Sequence, residues 1–181
     1  MATTAYVALL RGINVGGKNP VPMAELRSVF EREGFGSVRT YIQSGNVLFD
    51  TDLPRAEVED RIEAMLECAL GLDVVVVVRS HRQLRSVVRR APTEDFADAS
   101  RFHSDVLFLK APLTPKRVLS VVRRRDGVDR AWPGTGVVYF SRLSERRSQS
   151  RMSTIVGTPE YQRLTVRSWS TTTKLLALLD G

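Results

Sequence analysis

The strongest periodic pattern along the chain lies between Pro54 and Gly71. Apolar residues recur there at helical spacing, and acidic residues fill the opposite positions. This spacing predicts an amphipathic helix that starts after Pro54, ends at Gly71 and packs one face against a sheet. The predicted buried stripe consists of Val58, Ile62, Met65, Leu66, Ala69 and Leu70.

Shorter apolar runs predict the other elements of the first half of the chain. Ser44-Gly45 separates two of these runs and predicts a hairpin, because glycine adopts a positive φ without strain. Ser80 and Gln83 have the spacing of a capping box and predict a short helix after the last strand. The predicted strands are Tyr6–Leu10, Val38–Ile42, Val47–Phe49 and Asp73–Arg79, and the predicted first helix is Pro22–Glu33.

The second half of the chain repeats this order of elements. Thr114-Pro115 predicts a helix start, because proline is favoured in the first helical turn. A polar helix is predicted near Glu145–Val156, and a last helix is predicted at Thr171–Leu179 with Ser170 as its cap. The predicted strands are Val106–Leu109, Val128–Trp132, Val137–Phe140 and Leu164–Val166.

Each half therefore has the order β-α-β-β-α-β, followed by one extra helix. This order is the split βαβ, or ferredoxin-like, arrangement. The predicted fold class is α+β, with two tandem ferredoxin-like units that each contain an antiparallel sheet. The predicted units are residues 1–90 and residues 91–181, and their similarity is one of pattern and not of residues.

The last strand of the first unit is apolar on both faces, since Val74–Val78 are all valine. Strand four is an edge strand in a ferredoxin-like unit, and an exposed apolar edge invites aggregation. We therefore expect the second unit or a second chain to cover this edge.

Composition and charge narrow the class of protein. The chain has 181 residues, of which 43% are hydrophobic and 26% charged, as in a soluble globular protein. Its only cysteine, Cys68, excludes an internal disulfide, and with two histidines beside it a zinc site is not indicated. No signal peptide or long apolar segment is visible. We expect a cytoplasmic protein without a membrane partner, a metal or a cofactor.

The net charge of +7 is concentrated in the second half. Residues 1–90 carry 12 basic against 11 acidic residues, whereas residues 91–181 carry 15 against 9. A basic surface attracts phosphate-rich partners such as nucleic acid, although a solvated surface explains the same excess.

Several long motifs resemble one bacterial family, known as domain of unknown function 1697. They are Leu9–Asn19 (LLRGINVGGKN), Arg39–Val47 (RTYIQSGNV), the basic stretch 141–151 and the ending Thr165–Thr171. The family typically has asparagine at the positions of Ser168 and Ser170, so this chain lacks those two amides. The resemblance implies an α+β fold of ferredoxin-like repeats and no established activity.

The segment Gly12–Lys18 also meets most of the P-loop pattern, but Asn19 replaces the serine or threonine that the pattern requires. Pro20 and Pro22 prevent a helix from starting at Lys18 and running on, so a true P-loop is not expected. A nest of backbone N–H groups that binds an anion is a better interpretation.

The topology of a split βαβ unit brings two polar loops to the same end of its sheet. These loops follow strand one and join strands two and three, so they start about 10 Å apart. We expect a pocket for a small anionic ligand there, unless the polar side chains serve only their own turns. The candidate ligand-binding residues are Arg11, Asn14, Gly16, Gly17, Lys18, Gln43, Ser44 and Asn46. Arg167 and Lys174 would join them only if the units packed suitably.

Two other functions fit the same sequence. The basic second half predicts a nucleic-acid-binding protein if Trp132, Tyr139 or Phe140 offer stacking surfaces. The two-loop pocket would instead serve an enzyme, although no catalytic residue and no reaction can be assigned. The ligand and the oligomeric state stay open at this point.

Overall fold

The first unit contains a four-stranded antiparallel sheet in the computed structural model, which describes residues 3–181. The strand order is β2-β3-β1-β4, so β3 lies between β1 and β2 as a split βαβ unit requires. The predicted order of elements is confirmed. The elements are β1 (Thr4–Leu10), α1 (Met23–Arg32), β2 (Gly36–Tyr41), β3 (Asn46–Thr51), α2 (Arg55–Leu70) and β4 (Val76–Ser80).

The core of this unit forms where α1 and α2 cover one face of the sheet. Phe49 of β3 contacts Phe30 and Phe35, with ring centroids 5.6 and 4.9 Å away. Four residues of the stripe predicted on α2 are buried, namely Val58, Ile62, Met65 and Leu66. Leu70 is half-buried, whereas Ala69 and Cys68 lie exposed in the last turn before Gly71.

The outer edge of β4 is capped by α2 of the same unit. Arg11 donates its backbone N–H to the Val75 carbonyl, so alternation directs the N–H groups of Val76 and Val78 outward. Glu63 Oε1 accepts the first of these N–H groups, and Glu59 Oε1 the second, each at 2.8 Å. The carboxylates of Glu59 and Glu63, one helical turn apart, thus accept from the two N–H groups that could otherwise pair with another strand. The expectation that the second unit or a second chain covers this edge is corrected here, since α2 of the same unit supplies the acceptors for both N–H groups.

Loss of one capping carboxylate should weaken this edge. We expect Glu63→Ala to destabilise the protein by about 1–2 kcal/mol, because a charge-assisted hydrogen bond is lost. Hydrogen exchange at the Val76 amide should accelerate, while Glu67→Ala, an exposed site on the same helix, should leave it unchanged. Equal exchange rates in the two variants would show that the carboxylate does not protect the edge.

The second unit contains another four-stranded antiparallel sheet, with the order β6-β7-β5-β8. Its core lies between this sheet and α5, and it includes Leu107, Val118 and Phe140. The elements are α4 (Thr93–Ala97), β5 (Phe102–Leu109), α5 (Pro115–Val121), β6 (Asp129–Gly134), β7 (Val137–Leu143) and β8 (Leu164–Ser168), and the two helices that follow the last strands are α3 (His81–Arg89) and α6 (Trp169–Asp180).

The polar helix predicted at Glu145–Val156 is wrong. Two short 3-10 turns replace it, at Ser144–Gln149 and Met152–Ile155, and a third follows at Pro159–Arg163. The first turn buries no side chain, so no apolar stripe stabilises a longer helix there. Asp129 Oδ2 accepts the Arg151 N–H at 2.9 Å and fixes the chain between the first two turns. The segment is held by this hydrogen bond to β6 and by Ile155 and Met152, which pack into the core of the second unit.

The predicted helix caps are right in two cases and displaced in one. Ser80 Oγ accepts the Gln83 N–H while Gln83 Oε1 accepts the Ser80 N–H, so the capping box is confirmed. Thr114 caps α5 as expected. Ser168, and not Ser170, caps α6, because its Oγ accepts the Thr171 N–H at 3.2 Å.

The halves share more than the pattern that the sequence suggested. Val78-Arg79-Ser80 ends β4, and Val166-Arg167-Ser168 ends β8. Each arginine is buried and donates from Nη1 to the carbonyl of the preceding valine, at 2.8 and 2.9 Å. Burial lowers the pKa of both guanidinium groups to about 10. The tripeptide Val-Arg-Ser thus ends the last strand of each unit with a buried arginine that donates to the preceding carbonyl.

Packing divides the chain within α3 and α6. One unit comprises the chain up to Leu84 together with Leu175–Gly181, and the other comprises Arg85–Lys174. His81 Nε2 lies 2.6 Å from Asp180 Oδ1 in the first of these units. Among residues 3–181, none of the helices combines the length and apolar character that crossing a membrane requires.

Candidate functional site

The two loops predicted to converge do meet at one end of the first sheet. Asn14 Nδ2, in the loop after β1, donates to the Gln43 carbonyl, in the β2–β3 hairpin, at 2.9 Å. Helix α1 begins only at Met23, five residues beyond Lys18. The phosphate-binding helix start of a P-loop is therefore missing at Lys18, as the two prolines predicted.

The loop after β1 contains a small glycine hairpin. The Asn14 N–H donates to the Asn19 carbonyl at 3.1 Å, and the Lys18 N–H donates to the Val15 carbonyl at 3.0 Å. Gly16 and Gly17 form the tip with φ of 58° and 73°, as in a type I′ turn. Within residues 3–181, the N–H groups of these two glycines have no hydrogen-bond acceptor, and both residues are exposed.

Asn14 holds the base of this hairpin. Its Oδ1 accepts the Val21 N–H at 2.7 Å, while its Nδ2 donates to the carbonyls of Val21 and Gln43. Asparagine also tolerates the left-handed backbone that this position adopts, with φ of 53°. Both amide protons and the amide oxygen of Asn14 are thus used within the loops. Asn14 therefore holds the two loops together and does not contact a ligand.

The β2–β3 hairpin is organised by Asn46 and Gly45. Asn46 is fully buried, and its Nδ2 donates to the Tyr41 carbonyl and to Ser44 Oγ, each at 3.0 Å. Gly45 has φ of 79° and accepts the Leu10 N–H at its carbonyl. Ser44 and Asn46 therefore serve the turn, which is the alternative that the sequence left open.

The side chains of Lys18 and Gln43 are exposed, and Arg11 is half-buried at the end of β1. Two apolar side chains lie on the same loops, since Val15 is 59% exposed and Ile42 is 48% exposed. Ile42 adopts φ of 49°, a left-handed backbone that is unusual for a β-branched residue. No sequence pattern marks this strained backbone at Ile42.

The two additional candidates belong to the second unit. Arg167 is only 6% exposed, and its Nη1 donates to Thr165 Oγ1 and to the Val166 carbonyl. Lys174 is exposed on α6. The contacts of Arg167 support the end of β8, as the contacts of Arg79 support the end of β4.

The stacking surfaces expected for nucleic acid are mostly buried. Tyr139 is 2% exposed and donates its hydroxyl to the Val87 carbonyl, and Phe140 is fully buried. Burial also raises the pKa of Tyr139 to about 12. Arg142, one of the basic residues of the second half, is buried and paired with Asp105 at 2.9 Å. The expectation that Tyr139 and Phe140 stack on bases is wrong, because both rings face inward.

The fold and the two loops define an α+β protein built from two tandem ferredoxin-like units, with a glycine hairpin after its first strand. The chain belongs to the protein family of unknown function DUF1697, whose profile matches residues 3–139.

The fold is also that of a solved structure, a conserved bacterial protein from Streptococcus pneumoniae. The two chains are 27% identical with a TM-score of 0.86, and the match covers 98% of this chain and 99% of the other. No curated protein matches the chain.

Proposed function

We propose that this protein is a binding module for a small anionic ligand, held at the glycine hairpin and the neighbouring β2–β3 turn. The observation that supports the proposal is that the exposed N–H groups of Gly16 and Gly17, which precede Lys18, have no hydrogen-bond acceptor among residues 3–181. Backbone N–H groups in a turn of positive φ, next to a cation, are an arrangement that binds anions.

The glycines suit this role for two reasons. Both adopt positive φ, which glycine does at no steric cost, and a Cβ atom at either position would meet nothing within 4 Å. The tip is therefore open, so a phosphate or carboxylate oxygen has room to approach the N–H groups. Neither glycine is required by packing at the tip, unlike Gly45 in the adjacent turn.

The other polar groups would orient the ligand. Lys18 supplies a mobile positive charge, and Gln43 supplies a neutral amide on the neighbouring loop. Arg11 is placed at the strand end by the bond from its N–H to Val75, and its guanidinium group can form two parallel bonds to an oxyanion. Asn14, Ser44 and Asn46 hold the two loops in place.

Titration with inorganic phosphate at low ionic strength tests the proposal. We expect saturable changes in the amide NMR signals of Gly16 and Gly17, and weaker binding as salt is added. Lys18→Gln should reduce the affinity about 3- to 10-fold, because one charged contact is lost. Lys116→Gln removes an exposed lysine elsewhere and should leave the affinity unchanged. Shifts that do not saturate, or equal effects of the two variants, would contradict the proposal.

A further inference from the structure

Six arginines of the second unit lie on one exposed surface. They come from two segments, the loop after α5 and the chain that follows β7. Residues 123–127 and 144–151 contain these six arginines and two acidic residues, Asp126 and Glu145, so their net charge is +4. We call the six the arginine surface, and all are exposed, namely Arg123, Arg124, Arg125, Arg146, Arg147 and Arg151.

A buried carboxylate brings the two segments together. Asp129 opens β6, and its Oδ2 accepts the backbone N–H groups of Arg125 and Arg151, each at 2.9 Å. Because both nitrogens contact the same oxygen, they lie within about 6 Å of each other. Arginines that are distant in sequence therefore belong to one continuous surface.

The positive charge of the arginine surface is not neutralised within the second unit. Among residues 3–181, none of its six guanidinium groups forms an ion pair with a carboxylate. Asp129 spends its Oδ2 on backbone N–H groups and not on an arginine side chain. Arg142 differs from the six, since it is buried and paired with Asp105. A concentrated, unpaired charge of this kind attracts a polyanion from solution.

The chemistry of the six side chains favours a partner with many phosphate groups. A guanidinium group is planar and always charged, and its N–H groups match two oxygens of one phosphate. Several such groups on one surface suit a row of phosphates better than a single anion. A nucleic acid also releases condensed counterions when arginines neutralise its phosphates, and this release supplies affinity.

The composition of the two segments favours a duplex over a single strand. Neither segment contains an aromatic residue, and proteins bind single strands largely by stacking bases on aromatic side chains. Trp132 does not supply this contact, because alternation along β6 places it on the opposite face from Asp129. A membrane surface would require an apolar face beside the cations, and Val156 is the single large apolar side chain that is exposed in the described second unit.

We infer that the arginine surface binds the sugar-phosphate backbone of double-stranded nucleic acid without reading its base sequence. Contacts to phosphates position a protein on a duplex but carry no sequence information directly. The affinity therefore depends on salt and not on sequence. None of the residues involved belongs to the two-loop site of the first unit.

Fluorescence anisotropy of a labelled 20-base-pair DNA duplex, titrated with the full chain, tests the inference. We expect saturable binding, with affinities that agree within 2-fold for two duplexes of unrelated sequence. The affinity should fall about 100-fold between 50 and 200 mM salt, as counterion release predicts for about four phosphate contacts. Binding that does not saturate, or that changes less than 3-fold over this range of salt, would overturn the inference.

Paired charge reversals test the surface itself. Arg124→Glu combined with Arg151→Glu changes one arginine in each segment, and the duplex affinity should fall at least 10-fold. Arg32→Glu combined with Arg55→Glu changes the net charge equally at exposed sites of the first unit, and it should weaken binding less than 3-fold. All four side chains are exposed, so both variants should melt like the parent chain. Equal losses of affinity in the two pairs would overturn the inference.

Three controls separate this partner from others. A single strand of 20 nucleotides should bind at least 5-fold more weakly than the duplex. Vesicles with 30% phosphatidylserine should not displace the labelled duplex at an equal phosphate concentration. Lys18→Gln should leave the duplex affinity unchanged, because that residue belongs to the first unit. Tighter binding of the single strand, displacement by the vesicles, or a loss in Lys18→Gln as large as that in the Arg124 and Arg151 pair would overturn the inference.

Discussion

Replacing Ile62 with aspartate should unfold the first unit. Ile62 is fully buried in the core between α2 and the first sheet. The substitution removes an apolar side chain that is worth about 2–5 kcal/mol and places a carboxylate where no partner awaits it. The combined cost of at least about 5 kcal/mol is comparable with the whole stability of a domain.

Ala64→Asp is the matched control, since the same residue is introduced on the exposed side of the same helix. Helix propensity alone predicts a loss of about 0.7 kcal/mol or less there. Thermal and urea unfolding followed by circular dichroism would measure both variants. If Ile62→Asp melts within a degree or two of the parent chain, the assigned packing face of α2 is wrong.

Gly45→Ala should cost about 2–5 kcal/mol, as the sum of backbone strain and overpacking. Gly45 has φ of 79°, and an added Cβ would lie 2.7 Å from Ile13 Cδ1 and 2.9 Å from Leu10 Cβ. Ile13 and Leu10 are both fully buried, so neither can move aside easily. The new methyl group would push apart the two loops of the candidate site.

Gly17→Ala separates the two contributions to this cost. Gly17 has a similar φ of 73°, but a Cβ there would meet nothing within 4 Å. Only the backbone strain applies at Gly17, so we expect the free energy of unfolding to fall by about 1 kcal/mol. Urea unfolding of both variants measures the difference. Similar losses in the two variants would show that the contact with Ile13 carries no cost.

Elements with a strong local pattern could be predicted from the sequence. The stripe on α2 repeats over four turns, and the capping box at Ser80 and Gln83 lies within four residues. Such signals depend on neighbours along the chain, so they require little tertiary context. The polar segment after β7 has no stripe, and its predicted helix was wrong for that reason.

The position of the candidate site could also be predicted from the sequence. The order of elements predicts a split βαβ unit, and that topology brings the loop after β1 next to the β2–β3 turn. The sequence could not predict which polar side chains bond within the loops and which stay available to a ligand. Whether Asn14 faces a ligand or bonds to Val21 and Gln43 depends on a contact across 29 positions of sequence.

By itself, the sequence determined the fold class, the order of elements in the first unit, the family and the end of the sheet where two polar loops meet. Only the tertiary structure decided how the edge of β4 is capped and which asparagines are spent on turns. The physical reason is that periodicity and turn propensity are local, whereas the partner of a polar atom is set by residues that only folding brings together.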